Sequence, residues 1–241
     1  MCKEIISNID KELKESDPEL VEFLDDFIVD EVIPESSLDD RKRFLVIIAS
    51  LLANQSIKLY ESILELALNV LSPVEIKEIL YQSIAYIGLV KVYDFFDITN
   101  QIFDEKGVDL PLPGQSTSTK KNRVKTGYNL QCEHFTKEFI DEQIDKAPSD
   151  EKHIWKFICG FAYGDLYTRT GLSKQDRELI SFTFILSLRG CENQLRTHVS
   201  GNIRVGNSRK DLIGAITALI PFIGFPRVHN ALAIVDEICP L

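Results

Sequence analysis

Ser173-Lys-Gln-Asp-Arg-Glu178 opens the stretch on which the fold turns. An apolar segment runs on to Gly190. Cys191-Glu-Asn-Gln194-Leu-Arg-Thr-His198 follows, then Gly201-Asn202 and Gly206-Asn207-Ser208, and the stretch closes on Pro221-Phe-Ile-Gly224-Phe-Pro226. Glu178, Cys191 and His198, three side chains with useful chemistry, fall within twenty-one residues.

Laid against itself, the chain contains an earlier copy of this unit. At an offset of 134, Phe23 meets Phe157, Phe27 meets Phe161, Arg43 meets Arg177 and Leu52 meets Leu186. After a loop two residues shorter in the first copy the offset becomes 136, and Leu59, Ser72, Gly88 and Val92 meet Leu195, Ser208, Gly224 and Val228. Where the second copy has Glu178, Cys191 and His198, the first has Phe44, Gln55 and Ser62.

The periodicity throughout is helical. Leu20, Phe23, Leu24, Phe27 and Ile28 form an i, i+3, i+4, i+7, i+8 stripe. A helix over about 38–53 is apolar nearly all round and reads as central. One over 57–70 follows. Ser72-Pro73-Val74-Glu75 then starts a helix, with serine as cap, proline in the first turn and glutamate closing a capping box. It ends at Gly88, and a last helix runs to about Phe103. The second copy repeats the order: 151–166, 174–188, 191–205, a helix capped by Ser208 with Asp211 three residues on, and a closing helix near Pro226. Between the copies, 104–130 is rich in Pro, Gly, Ser and Thr and reads as linker, and one helix is expected over 131–145. No alternating strand pattern appears, so the expectation is all-α: a first unit over 18–103, a connecting region 104–150 and a second unit over 151–240.

A net charge of −10 over 241 residues argues against nucleic-acid or anionic-membrane partners. The longest uncharged apolar run, Leu212 to Pro226, spans 15 residues, short of the ~20 that cross a bilayer. The N-terminus lacks the apolar core of a signal peptide. Five scattered cysteines with no Cys-x-x-Cys suit a reducing cytoplasm and offer no zinc-ligand spacing, so neither a metal nor a cofactor is expected.

Cys191 follows Gly190 at a helix start, where free amides and the helix dipole favour a thiolate. Gln194 and His198 lie three and seven residues on, along one face. Helical rise puts His198 ~10 Å from Cys191 along the axis, too far for a thiolate–imidazole pair. Glu178 begins the preceding helix, and antiparallel packing would bring it to His198 rather than to Cys191. A carboxylate that orients a histidine is acid–base geometry. The plainer readings are a small buried cysteine, a hydrogen-bonded core histidine and an ion pair of Glu178 with Arg177. Arg196, Asn202 and His229 join Gln194 as candidate substrate contacts, with Arg204 and Arg227 as further cations. His134 and His153 read as surface residues.

These motifs, with Asp165-Leu-Tyr-Thr-Arg-Thr-Gly171 before them, Ala85-Tyr-Ile-Gly88 in the first copy and Leu110-Pro-Leu-Pro-Gly-Gln115 between, resemble the carboxymuconolactone decarboxylase family in its tandem form. The resemblance implies two fused helical repeats assembling into a homo-oligomer, a trimer or hexamer in ring form. It implies a small-molecule substrate and one of two chemistries: cofactor-free decarboxylation of a lactone acid or keto acid, a lyase reaction, or an alkylhydroperoxidase D-type thiol peroxidase using Cys-x-x-Cys with a glutamate and a histidine. Glu178, Cys191 and His198 match the glutamate, first cysteine and histidine. The second cysteine falls on Gln194, which leaves no resolving thiol within a helical turn. Acid–base chemistry at His198 and Glu178 is the favoured reading. A one-cysteine thiol peroxidase at Cys191 and a non-catalytic oligomeric binding protein are the alternatives.

Overall fold

The helices expected over 38–53 and 174–188 are apolar on nearly every side, so each needs neighbours all round. The computed structural model, which describes residues 11–241, shows how they are covered. The first elements are α1 (Lys11–Ser16) and α2 (Pro18–Asp26), the latter prolonged by a π-helical stretch, Phe27–Val32, and a last turn, Ile33–Glu35. Then come α3 (Asp40–Asn54), α4 (Ile57–Ala67), α5 (Pro73–Ile87) and α6 (Leu89–Glu105). α7 (Arg123–Phe135) and α8 (Lys137–Lys146) follow the connecting loop. α9 (Lys152–Phe157) is prolonged by a second π-helical stretch, Ile158–Tyr167, and is followed by α10 (Lys174–Ser187), α11 (Glu192–Val205), α12 (Arg209–Ile223) and α13 (Phe225–Ile238). The described residues are helical with no strand, which is the all-α fold expected. The order from α2 to α6, π-helical stretch included, recurs from α9 to α13. The sequence of residues 1–17 reads as a charged helix or a frayed arm, and its first part, residues 1–10, lies outside the described residues.

α3 and α10 lie side by side at the centre, joined by a Ser187–Ser50 hydroxyl bond of 2.9 Å. Every residue from Arg43 to Ala53 and from Asp176 to Ser187 is buried. Their all-round apolarity is therefore met inside the chain, not at a surface between copies. The outer helices bridge the centre: α5, from the first half, packs on α10 as well as on α3, and α12, from the second half, packs on α3 as well as on α10. Full burial of side chains such as Leu179, Ile180, Phe182 and Phe184 stabilises the centre by about 1.5–3 kcal/mol each.

Local sequence sets the helix starts. Ser72 with Glu75, Ser173 with Asp176 and Ser208 with Asp211 all form capping boxes. Gly88 and Gly224 end α5 and α12 with positive φ of 90° and 76°, where a side chain would be strained.

The connecting region differs from its reading. Two helices, α7 and α8, stand where one was expected, because the polar start at Arg123 is itself helical and Thr136, at φ 82°, breaks the run. The loop before them is pinned to the second half: Thr170 N–H donates to Gln115 O at 3.0 Å and Thr117 Oγ1 to Thr168 O at 2.6 Å. Composition foretold the missing secondary structure but not the pins, each of which has as acceptor a backbone carbonyl that composition does not report. α7 and the second π-helical stretch then meet backbone to backbone. A Cβ built on Gly127 would lie 1.8 Å from Cys159 O, and one on Gly164 2.2 Å from Arg123 O. Glycine at both positions lets α7 lie against Tyr163 and Tyr167.

Candidate active site

Glu178 stands in the second turn of α10 and is completely buried. His198, near the middle of α11, is 7% exposed, and its Nδ1 donates to Glu178 Oε2 at 2.8 Å. The carboxylate accepts only, so it holds the proton on Nδ1 and leaves Nε2 as the ring's outward nitrogen. Asn202, one turn further along α11, donates from Nδ2 to Glu178 O at 3.0 Å and to His198 O at 2.7 Å. Its own Oδ1 accepts from Asn207 Nδ2 at 2.8 Å. Asn202 thus clamps the two helices that carry the pair. Gly201 makes the approach possible: a Cβ there would fall 2.6 Å from Phe135 Cε1 and 2.8 Å from Glu178 Oε2.

The imidazole is walled by aromatic edges. Phe135 of α7 and Tyr86 of α5 stand edge-on to it, at ring-centroid distances of 5.4 and 5.5 Å. Tyr86 OH lies 3.4 Å from His198 Nε2 and 2.7 Å from Tyr167 OH. Burial, and then the Glu178 charge, push the Tyr86 and Tyr167 phenols well above their ordinary value, so both remain O–H groups at neutral pH. Glu178 Oε1 is buried with no protein partner. An orphaned carboxylate oxygen costs about 1–3 kcal/mol or more.

Cys191 stands apart from this pair, as the helical rise requires. It is the N-cap residue of α11, half-buried, with Sγ 3.6 Å from Arg189 O. It lines a cavity of about 420 Å³ with Arg189, Arg227, Leu195, Ile223 and Pro226, and neither Glu178 nor His198 is in that lining. Burial, and then the like charge of Arg189, pull the Arg227 guanidinium below its ordinary value. The other candidates are dispersed. Gln194 and His229 are exposed, with His229 Nδ1 bonded to Phe225 O of its own helix at 2.9 Å. Arg196 is paired on the surface with Glu237 at 3.0 Å, and Arg204 is exposed. Of the proposed substrate contacts, only Asn202 touches Glu178 and His198.

Residues 154–237, the span from α9 to α13, match the sequence profile of the Carboxymuconolactone decarboxylase family. Over 118 residues the chain is 24% identical to the 4-carboxymuconolactone decarboxylase of Acinetobacter baylyi, covering 49% of this chain and 87% of that one. Through this segment the chain is similar to the carboxymuconolactone decarboxylase family. A second relative is an uncharacterized 15.0 kDa protein of Paracoccus denitrificans encoded in the nqo9–nqo10 intergenic region. It is 25% identical over 113 residues, 46% of this chain and 78% of its own length. The family span holds Glu178, Cys191 and His198, while Tyr86 lies outside it.

Sequence reasoning missed several residues around the pair. His134, read as a surface residue, is fully buried: its Nδ1 donates to Leu130 O at 2.8 Å and its ring lies 5.9 Å from that of Tyr167. The region was taken for linker, so nothing suggested a packed face. His153 is exposed, as read. Tyr86 enters the sequence reading only within Ala85-Tyr-Ile-Gly88 and has no role there. The available signal was its offset partner, Phe222, because a tyrosine in place of a phenylalanine adds a buried hydroxyl that needs a partner. The offset partners of the site form a second, apolar place: Phe44, Ala218 and Phe222, which correspond to Glu178, Gln82 and Tyr86, line a cavity of about 300 Å³. Among the described residues no group of His, Cys, Asp and Glu could hold a metal, and no helix is long and apolar enough to cross a membrane.

Proposed function

We propose that the chain catalyses cofactor-free decarboxylation of a small carboxylated lactone or related keto acid, with His198 as the proton-transfer group. The observation behind this reading is the buried 2.8 Å contact of His198 Nδ1 with Glu178. In the reaction the bond between carbon and carboxylate breaks, CO₂ leaves, and the electron pair passes into the conjugated carbonyl. A proton that His198 Nε2 has taken up from solvent then bonds to carbon. Glu178 stabilises the imidazolium that carries it, a contribution of ~10²- to 10⁴-fold for a positioned acid or base. Glu178, His198 and Asn202 are the working set, and the two halves act as fused repeats with chemistry in the second. The relative's printed name supplies the first substrate to try. Purified protein mixed with 4-carboxymuconolactone should release CO₂, and His198→Gln should abolish that release. No release from the wild type rejects the reading.

A second reading has its own observation, the cavity shared by Cys191, Arg189 and Arg227. There the thiolate would attack a hydroperoxide: the S–O bond forms, the O–O bond breaks, an alcohol leaves, and an external dithiol reduces the sulfenic acid to release water. Peroxide consumption that needs dithiothreitol and vanishes in Cys191→Ser, with His198→Gln still active, selects this reading. Failure of both assays leaves an oligomeric binding protein.

A further inference from the structure

His198 Nε2 ends a run of hydrogen bonds whose far end is fixed by a different charge. Arg177, buried on α10, has donors only, and its Nη1 bonds to Gln82 Oε1 at 3.0 Å. That contact fixes the Gln82 amide with its NH₂ turned the other way. Nε2 of Gln82 donates to Arg177 O at 2.8 Å and to Ser181 Oγ at 2.9 Å. Ser181 Oγ is hydrogen-bonded to Tyr167 OH, Tyr167 OH to Tyr86 OH at 2.7 Å, and Tyr86 OH to His198 Nε2 at 3.4 Å. Arg177 is itself held by Glu78, Nη2 to Oε2 at 2.9 Å, and Glu78 also accepts from Arg169. Gln82, Ser181, Tyr86 and Tyr167 are buried or nearly so.

Both ends require the same direction. Arg177 makes Gln82 a donor into Ser181. Glu178 keeps the imidazole proton on Nδ1, so Nε2 needs a donor. With one O–H each, the three hydroxyls satisfy both ends only if they point in file from Gln82 to His198. The reverse order would set a donor Nε2–H against Tyr86 and, in a neutral ring, the bare Nδ1 lone pair against the Glu178 carboxylate.

We propose that Gln82, Ser181, Tyr167 and Tyr86 form a one-way hydrogen-bond chain that holds His198 Nε2 as a proton acceptor in the resting protein. These are positioning residues, all four outside α11 and two of them, Gln82 and Tyr86, lent by α5 of the first half. The chain is also closed. It ends at an amide NH₂, which cannot take up a proton, so a proton on Nε2 has no inward exit and must leave by the face the substrate meets. The Tyr86–His198 link is the weakest, at 3.4 Å against ~2.7–3.0 Å for a good bond, so it is the one that yields when Nε2 is protonated. The inference rests on the Glu178–His198 pair as the reactive centre, but its test needs no turnover, so its failure is distinct from failure of the decarboxylase reading.

The test is the long-range proton–nitrogen NMR spectrum of the histidine rings in ¹⁵N-labelled full-length protein just above neutral pH. The His198 signals are assigned by their loss in His198→Gln. The expected result is a protonated Nδ1 and a bare Nε2 displaced upfield by a hydrogen bond. Tyr86→Phe should move that Nε2 signal downfield, towards an unbonded nitrogen, and leave Nδ1 in place. Gln82→Glu, which turns the far-end donor into an acceptor, should produce the same Nε2 movement from a residue that does not touch His198. A protonated Nε2 with bare Nδ1 in the wild type overturns the proposal without any variant. So does an Nε2 signal that neither substitution moves.

Discussion

Replacing His198 by glutamine keeps a hydrogen-bonding side chain of similar size on α11 and removes the titrating ring. The expected outcome is loss of at least ~100-fold in turnover with the helical circular-dichroism signal retained. Ser62→Ala, at the matching position of the first half, should leave turnover unchanged, since Ser62 Oγ bonds Lys58 O on its own helix. A loss with Ser62→Ala and none with His198→Gln would place the chemistry in the other half. Gly201→Ala should cost more than either, because its Cβ would meet a Phe135 ring carbon at 2.6 Å and a Glu178 oxygen at 2.8 Å. A melting temperature lowered by several degrees together with lost activity is expected, whereas Gly190→Ala, where a Cβ meets open space, should suffer only the strain of its φ of 73°. Among the described cysteines the buried Cys159, whose thiol is pushed up by desolvation, should alkylate last, and half-exposed Cys191 at its helix start ahead of it. Peptide mapping after a short iodoacetamide pulse at neutral pH reads that order.

Three helix starts converge on two residues of α3. Arg41 bonds Glu75, the capping acid of α5, at 2.7 Å, and both oxygens of Asp176, the capping acid of α10, at 3.1 and 2.9 Å. Lys42 bonds Asp211, the capping acid of α12, at 2.8 Å. A shared network of this kind exceeds an isolated exposed pair, so Arg41→Ala should cost about 1–2 kcal/mol by urea denaturation. The same network sets a pH dependence. Burial tends to raise the Asp211 carboxyl, but the Lys42 ammonium and the Ser208 cap outweigh it and hold it at about 2. Asp176 is lowered in the same way, with Arg41 and Ser173 prevailing over burial. A carboxyl lowered in the folded state contributes stability above its unfolded value, ~3.9, and that contribution is lost as pH falls towards the folded value. Melting temperature should therefore fall between about pH 4 and 2, and Asp211→Asn should flatten the fall. All three caps were open to view in the sequence as far as spacing goes, and Ser72-Pro-Val-Glu75 and Ser208 with Asp211 were read from it. Glu178 meeting His198 also followed from helix order. The basic residues that join the caps were not legible, nor was the tyrosine wall, because both depend on α5 and α12 crossing to the other half's central helix, and periodicity carries no information about partners.

The surface carries apolar residues at matching places in the two halves. Phe23 and Phe157, offset partners, are 61% and 57% exposed, and Leu89 and Phe225 are 52% and 57% exposed. Paired apolar patches of this sort fit a ring of copies, and sedimentation at micromolar concentration should show a species well above 27.4 kDa. A 27.4 kDa species there would reject assembly. Phe157→Glu should shift the equilibrium towards that smaller species. Within one copy, the packing of α5 and α12 on both central helices has a consequence for cutting the chain. Lys120 and Lys121 are exposed in the connecting loop, and trypsin should cleave there first. The nicked protein should still elute as one particle, since α3–α10, α5–α10 and α3–α12 all span the break. Separated in urea and returned to buffer alone, the C-terminal piece would own Glu178 and His198 yet lack Gln82, Tyr86 and the Glu78 that holds Arg177. The two pieces should therefore behave as complementing fragments, each silent by itself, with function regained only on mixing and in proportion to reassociation.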